Sequence, residues 1–107
     1  MRRTVSLTLI ALLTVLGVRL LAAQHVVSQK DKTFSSPALT VKPGDVVVFK
    51  NDDSITHNVF STSKGLEFNT KAQAPGSQTE VTLATEGTAE VSCAFHPKMK
   101  LTITVKK

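Results

Sequence analysis

The chain has 107 residues and a formal net charge of +5, a length that fits one small domain. All three arginines fall within residues 1–23, so residues 24–107 carry ten lysines against eight acidic residues, a net charge of +2. No basic helix with interleaved aromatic residues is visible, which argues against nucleic-acid binding. The single cysteine, Cys93, excludes an internal disulfide.

Residues 1–23 have the pattern of a signal peptide: two early arginines, an apolar run over residues 5–18 and the small pair Ala22-Ala23. The run is shorter than the about 20 residues of a membrane span. We therefore predict cleavage and an exported domain over residues 24–107. A retained N-terminal anchor is the alternative, and only then is membrane contact expected. His25, beside the cleavage point, is expected to be a solvated terminal residue rather than a ligand of a second copper site.

The first half of the domain predicts short strands separated by turns, with no helical periodicity. A strand beginning at residues 26–27 is expected at a sheet edge. The apolar alternation over residues 39–41 predicts a second strand. Residues 42–45 contain Pro and Gly where a tight reversal needs them. The unbroken apolar run over residues 46–49 predicts a central strand, and a polar loop follows at residues 51–54.

The second half continues the same pattern. Residues 59–60 extend a strand, residues 80–83 alternate polar and apolar, and residues 89–93 place Cys93 on the same face as the apolar positions. Residues 101–105 close the domain with another alternation. Seven or eight short strands at this spacing predict an all-β protein, a small antiparallel β-sandwich.

The chemistry is concentrated between Cys93 and Met99, where a thiol, an imidazole and a thioether follow the spacing Cys-x2-His-x2-Met. His96 and Met99 belong to the loop before the last strand, and His57 stands where the polar loop enters another strand. We therefore expect one end of the sandwich to collect all four side chains. Two imidazoles, a thiolate and a weak thioether form the ligand set of a blue-copper electron-transfer site.

Each of these residues alone has a simpler interpretation: a buried apolar cysteine, a turn histidine, or a methionine that fills the core. Their conjunction favours metal ligation, because a free thiol is a liability in an exported protein. Copper is favoured over zinc because thioether sulfur is not a usual zinc ligand. Thiolate and thioether suit Cu(I), and imidazoles also hold Cu(II).

Neighbouring residues are predicted to support the ligands. Asn58 is expected to tie the histidine loop to the cysteine loop, the alternative being a turn asparagine. Pro97 restricts the backbone of the histidine before it. Phe95 is expected to shield the site, or else to be a core aromatic. Lys98 and Lys100 form a solvated loop edge or a contact for an acidic redox partner.

These residues resemble the cupredoxins, small blue-copper proteins with a Greek-key β-sandwich, over residues 26–105. The resemblance rests on residues 41–51 (VKPGDVVVFKN), on residues 57–59 and on residues 93–99. The two-residue gap between histidine and methionine is similar to that of amicyanin, whereas plastocyanin and pseudoazurin have longer loops there.

The resemblance implies one copper ion with His57, Cys93 and His96 as equatorial ligands and Met99 as the axial one. It also implies a monomer in the periplasm, with a c-type cytochrome or a dehydrogenase as partner. Amicyanin has proline where this chain has Phe95. The Phe95 N–H is therefore free to bond the Cys93 sulfur, a hypothesis under which the reduction potential rises.

The favoured function is a one-electron carrier in which His96 is the exit for the electron. The alternative is a periplasmic copper-binding or delivery protein without a redox-carrier role. An enzyme is not expected, because catalytic copper needs an open position or further metal centres. Three histidines are too few for a multicopper site.

Overall fold

The computed structural model describes residues 22–107, which form two β-sheets packed face to face. The predicted all-β sandwich is therefore confirmed. The proposed signal peptide lies outside the described residues except for its last two positions, and the first strand begins at Gln24. No helix within residues 22–107 has the length and apolarity that crossing a membrane requires.

The described residues form nine strands rather than seven or eight, because two strands of only two residues each add to the expected set. They are β1 (Gln24–Lys30), β2 (Thr33–Phe34), β3 (Ala38–Val41), β4 (Asp45–Asn51), β5 (Val59–Ser61), β6 (Phe68–Asn69), β7 (Gln78–Leu83), β8 (Gly87–Cys93) and β9 (Lys100–Val105). One sheet has the order β2-β1-β4-β7, and the other has the order β3-β9-β8-β5-β6.

Two features of the sheets differ from the prediction. The expectation that β1 is an edge strand was wrong, because β1 lies between β4 and the short strand β2. In addition, β1 pairs with β4, and β3 with β9, in parallel, whereas the other strand pairs are antiparallel. The chain crosses to the second sheet at β3 before β4 returns to the first, so β4 runs in the same direction as β1.

The core is formed by the inward faces of both sheets. β4 lies inside its sheet, as the apolar run predicted, and its residues Val47 and Phe49 are 0% exposed. Ala89 and Ile103 close the core from β8 and β9 at 0% exposure. Burial of a Val, Ile or Phe side chain contributes about 1.5–3 kcal/mol, so these positions hold the two sheets together.

The loops collect at two opposite ends of the sandwich. One end, which we call the ligand pole, consists of the loops over residues 52–58 and 94–99. The other, the distal pole, contains the start of β1, the ends of β3 and β9, and the predicted turn over residues 42–45. Gly44 has φ of +93° in that turn, a conformation in which a residue with a Cβ is strained.

Candidate metal centre

Three of the predicted ligands meet at the ligand pole. The Cys93 Sγ atom lies 3.6 Å from His57 Nδ1 and 3.7 Å from His96 Nδ1. The candidate ligand atoms of all three residues lie within 4.8 Å of one another. His57 is 0% exposed and Cys93 is 1% exposed, whereas His96 is partly exposed. The buried pair forms the floor of the site, and His96 separates it from solvent.

Strand pairing brings the buried pair together. Cys93 is the last residue of β8 and points into the core, as the strand alternation predicted. Its partner across the sheet is Val59, the first residue of β5. His57 precedes Val59 by two residues, so it lies on the same face of the extended chain, beside the sulfur.

The spacing of the donor atoms suits one metal ion. Bond lengths of about 2.0 Å to nitrogen and about 2.3 Å to sulfur separate the two donors by roughly 3.5–3.7 Å, for angles between tetrahedral and trigonal. The observed Sγ to Nδ1 distances of 3.6 and 3.7 Å fall in that range. The residues present therefore fit a bound ion without a large movement of either ring.

Met99 follows the second histidine through a tight turn. Its backbone N–H donates to the His96 carbonyl at 2.9 Å, and Pro97 takes the second position of the turn, where its fixed φ is favourable. Met99 is 2% exposed and belongs to the same core cluster as Cys93. The turn thus directs a thioether inward and leaves Pro97 exposed.

Asp53 is a supporting residue that sequence reasoning missed. Its Oδ2 lies 2.9 Å from His57 Nε2, the ring nitrogen that faces away from the sulfur. Hydrogen bonds from the Lys32 backbone N–H and from His57 hold the pKa of this carboxyl well below its usual value. The carboxylate therefore favours a proton on Nε2 and leaves Nδ1 available to a metal. The four-residue spacing to His57 within a polar loop was the only signal.

Gln73 also supports His57. His57 and Gln73 exchange backbone hydrogen bonds, with N···O distances of 3.1 and 2.6 Å. The Gln73 side chain is buried, donates to the Phe49 carbonyl and to Thr79 Oγ1 at 3.0 Å each, and accepts from Gln29 Nε2 at 2.8 Å. No sequence pattern indicated this contact, because its partners come from four separate segments.

Asn58 links the two ligand loops through its backbone. Its N–H lies 3.4 Å from Cys93 Sγ, and its carbonyl accepts from the Ala94 N–H at 2.9 Å. Its side-chain Oδ1 is buried and has no hydrogen-bond partner among the described residues. The structure shows no bond from the Phe95 N–H to the sulfur in residues 22–107, so Asn58 takes the place expected for Phe95. Phe95 is 53% exposed, which excludes a core role.

His25 lies at the distal pole, away from the three donors. Its Nε2 is 2.9 Å from Asp45 Oδ2, and its side chain is 26% exposed. The expectation of a solvated terminal residue was therefore wrong, because β1 begins before His25 and places its ring against the carboxylate.

The chain matches a known protein family. The family model of copper binding proteins, the plastocyanin/azurin family, matches residues 22–106. This chain is a cupredoxin of that family. Family membership and the donor group together give the cupredoxin one type 1 copper site at the ligand pole. No curated protein matches this chain.

Solved structures similar to this cupredoxin include a reduced amicyanin mutant and a purple cupredoxin from Nitrosopumilus maritimus. The amicyanin is 29% identical with a TM-score of 0.69, covering 77% of this chain and 81% of that one. The purple cupredoxin is 28% identical with a TM-score of 0.65, covering 78% and 99%. A copper-containing nitrite reductase from Thermus scotoductus SA-01 shares the fold, with 20% identity, a TM-score of 0.73 and coverage of 91% and 25%.

Proposed function

We propose that this cupredoxin is a periplasmic one-electron carrier. His57, Cys93, His96 and Met99 would together hold one copper ion. The observation that carries the proposal is the preassembled group of two Nδ1 atoms and one thiol, all within 4.8 Å. Bound copper supplies a Cu(II)/Cu(I) couple, for which imidazole, thiolate and thioether are suitable ligands in both states.

The ligands are fixed by contacts that do not involve metal. Backbone bonds to Gln73 and the Asp53 carboxylate hold His57, while the strand pairing of β8 holds Cys93. Donors that keep their positions in both oxidation states lower the reorganisation that accompanies electron transfer. The same rigidity argues against a copper-delivery protein, which needs accessible ligands that exchange readily. His57 and Cys93 are both almost fully buried.

His96 is the exit for the electron in this proposal. Of the four side chains it is the only one that is partly exposed, and it lines a surface cleft with Phe95 and Pro97. Phe95, 53% exposed, supplies apolar surface beside the ring. A c-type cytochrome or a dehydrogenase that contacts this surface would exchange electrons with a monomeric carrier.

Spectroscopy of the purified, copper-loaded protein tests the proposal. We expect an intense visible thiolate-to-copper band, a type 1 EPR signal and a reversible one-electron wave in voltammetry. Cys93→Ser removes the thiolate and should abolish the band, whereas the neighbouring Ser92→Ala should retain it. Colourless copper-loaded protein would overturn the proposal. Rapid loss of copper to a chelator without a reversible wave would favour copper delivery instead.

A further inference from the structure

The charges at the ligand pole indicate what kind of surface the redox partner presents. This inference rests on the proposed carrier function. We propose that Lys32, Lys98 and Lys100, here called the lysine triad, dock an acidic surface of the redox partner around Phe95. The apolar Phe95 side chain would contact the centre of the interface beside His96, and the three ammonium groups would pair with carboxylates around it.

Two surface clefts at this pole define the triad. One, of about 370 Å³, contains Phe95 and His96, and the other, of about 210 Å³, contains Lys100. Both are lined by Lys32 and Lys98. Every Lys, Asp or Glu residue in either lining is a lysine. The linings of these two clefts therefore contain cations and no carboxylate.

The triad lysines form no ion pair within the described residues. Within residues 22–107, the ion pairs are His25–Asp45 and His57–Asp53, and neither includes a lysine. All three triad residues are exposed. Unpaired ammonium groups at the edge of an apolar patch are available to a partner and attract opposite charge over a distance of about 10 Å at moderate salt.

Lys32 is held in place by Asp53, the residue that also contacts His57. It lies in the turn between β1 and β2 with φ of +59°, next to Asp31 with φ of +52°. Its backbone N–H donates to Asp53 Oδ2 at 3.0 Å, and that oxygen also lies 2.9 Å from His57 Nε2. One carboxylate thus fixes both the buried histidine and the position of Lys32.

The other two members of the triad flank Met99 in the sequence. Lys98 sits in the turn that precedes Met99, and Lys100 opens β9 directly after it. Their spacing relative to the site is therefore set by the ligand loop itself. A partner with acidic residues around its own redox group would be oriented towards His96 as it approaches, and electrostatic steering raises association rates by about 10–10³.

The distal pole offers a matched control of equal charge. Lys42, Lys106 and Lys107 line a cavity of about 440 Å³ there, but this cavity also contains Asp45 and His25. Neutralising these three lysines changes the net charge of the protein as much as neutralising the triad does. The two sets differ in their distance from the electron exit.

Voltammetry of the copper-loaded protein on coated gold tests the inference, with carboxylate-terminated and hydroxyl-terminated monolayers as probes. We expect wild-type electron exchange to be fast on carboxylate and to decline as salt rises. In the variant Lys32→Gln/Lys98→Gln/Lys100→Gln, exchange on carboxylate should fall by about tenfold or more, the lower end of a steering effect. The variant Lys42→Gln/Lys106→Gln/Lys107→Gln should stay within about twofold of wild type.

The outcomes separate this inference from the proposed function. If the exchange rate on carboxylate fell equally in the two triple variants, the effect would come from net charge alone, and the proposed docking surface would be refuted. An unchanged rate in the triad variant would overturn it as well. In either case, a retained visible band and a reversible wave on the hydroxyl surface would leave the carrier function standing. Absence of the band and of the wave in wild type would instead refute the carrier function.

Discussion

At the scale of single residues, the Asp53 carboxylate determines which nitrogen of His57 faces the sulfur. The imidazole can carry its proton on either nitrogen, and only an unprotonated Nδ1 can bind a metal at this site. A carboxylate 2.9 Å from Nε2 holds the proton on the far side and makes the ring a stronger ligand. A buried histidine without that partner would be free to adopt the wrong tautomer.

Asp53→Asn should therefore weaken copper binding by about 10–100-fold, the usual effect of losing a partner of a ligating histidine. The reduction potential should rise, because a less basic imidazole stabilises Cu(II) less. Competition titration and voltammetry measure the two effects. Asp52→Asn, an exposed neighbour, is the control, and equal behaviour of the two variants would contradict the assigned role of Asp53.

Asp45 gives a pH-dependent prediction away from the metal site. Hydrogen bonds from the Lys42 N–H and from His25 lower the pKa of this carboxyl below its usual 3.8. A carboxyl with a lowered pKa in the folded state stabilises the protein above its unfolded pKa, and this contribution is lost as pH falls through the folded value. Asp45→Asn should therefore be less stable than wild type at pH 7.

The difference between Asp45→Asn and wild type should shrink as the pH falls below 3.8, because the unfolded wild-type chain then begins to bind a proton at this carboxyl that the folded protein does not yet bind. Urea unfolding of the metal-free proteins at pH 7 and at lower pH measures it. Glu86→Gln, in an exposed turn, is the control. A difference that does not depend on pH would show that the charge of Asp45 contributes nothing to stability.

At the scale of elements, the loop before β7 supports the site through a buried amide. Gln73 connects the backbone of His57 to the carbonyl of Phe49 in β4 and to Gln29 in β1. These hydrogen bonds connect the first sheet to the loop that contains His57. A side chain of this kind stabilises the fold and the position of the ligand together.

Gln73→Ala should lower the free energy of unfolding by about 1–3 kcal/mol for each buried polar group left without a partner. Because His57 would then be less constrained, the EPR spectrum of the copper-loaded variant should broaden. Gln78→Ala, at an exposed position of β7, should change neither quantity appreciably. A sharp, wild-type spectrum in Gln73→Ala would limit Gln73 to a role in stability alone.

At the scale of the whole molecule, the proposed copper site joins segments that are far apart in the chain. His57 belongs to the loop that crosses from β4 in one sheet to β5 in the other, and Cys93, His96 and Met99 come from the β8–β9 region. The described residues contain no disulfide, because the only cysteine is free. A bound ion would therefore act as the single cross-link of the sandwich.

Removal of copper should lower the melting temperature substantially. A ligand present at 1,000 times its Kd stabilises the folded state by about 4 kcal/mol, and each kcal/mol shifts the melting temperature of a domain of this size by about 4–8 °C. Calorimetry with and without copper measures the shift. Cys93→Ser should gain much less from added copper. An equal gain in the variant would place the stabilising ion elsewhere.

The amino-acid sequence by itself predicted the strands longer than two residues and the four candidate ligands. Alternation with period two correctly placed Cys93 inward at the end of a strand, and an unbroken apolar run correctly placed residues 46–49 inside a sheet. The Pro-Gly turn was likewise readable from its own residues. Such features depend on neighbours within a few positions.

Only the tertiary structure decided which distant segments meet. The internal position of β1, the Gln73 contact with His57 and the shared carboxylate of Asp53 all join residues that local periodicity cannot relate. The physical reason is that alternation specifies which face of a strand is buried but not which strand lies beside it. That choice is made by the packing of the whole sandwich, and with it the surroundings of the metal ligands.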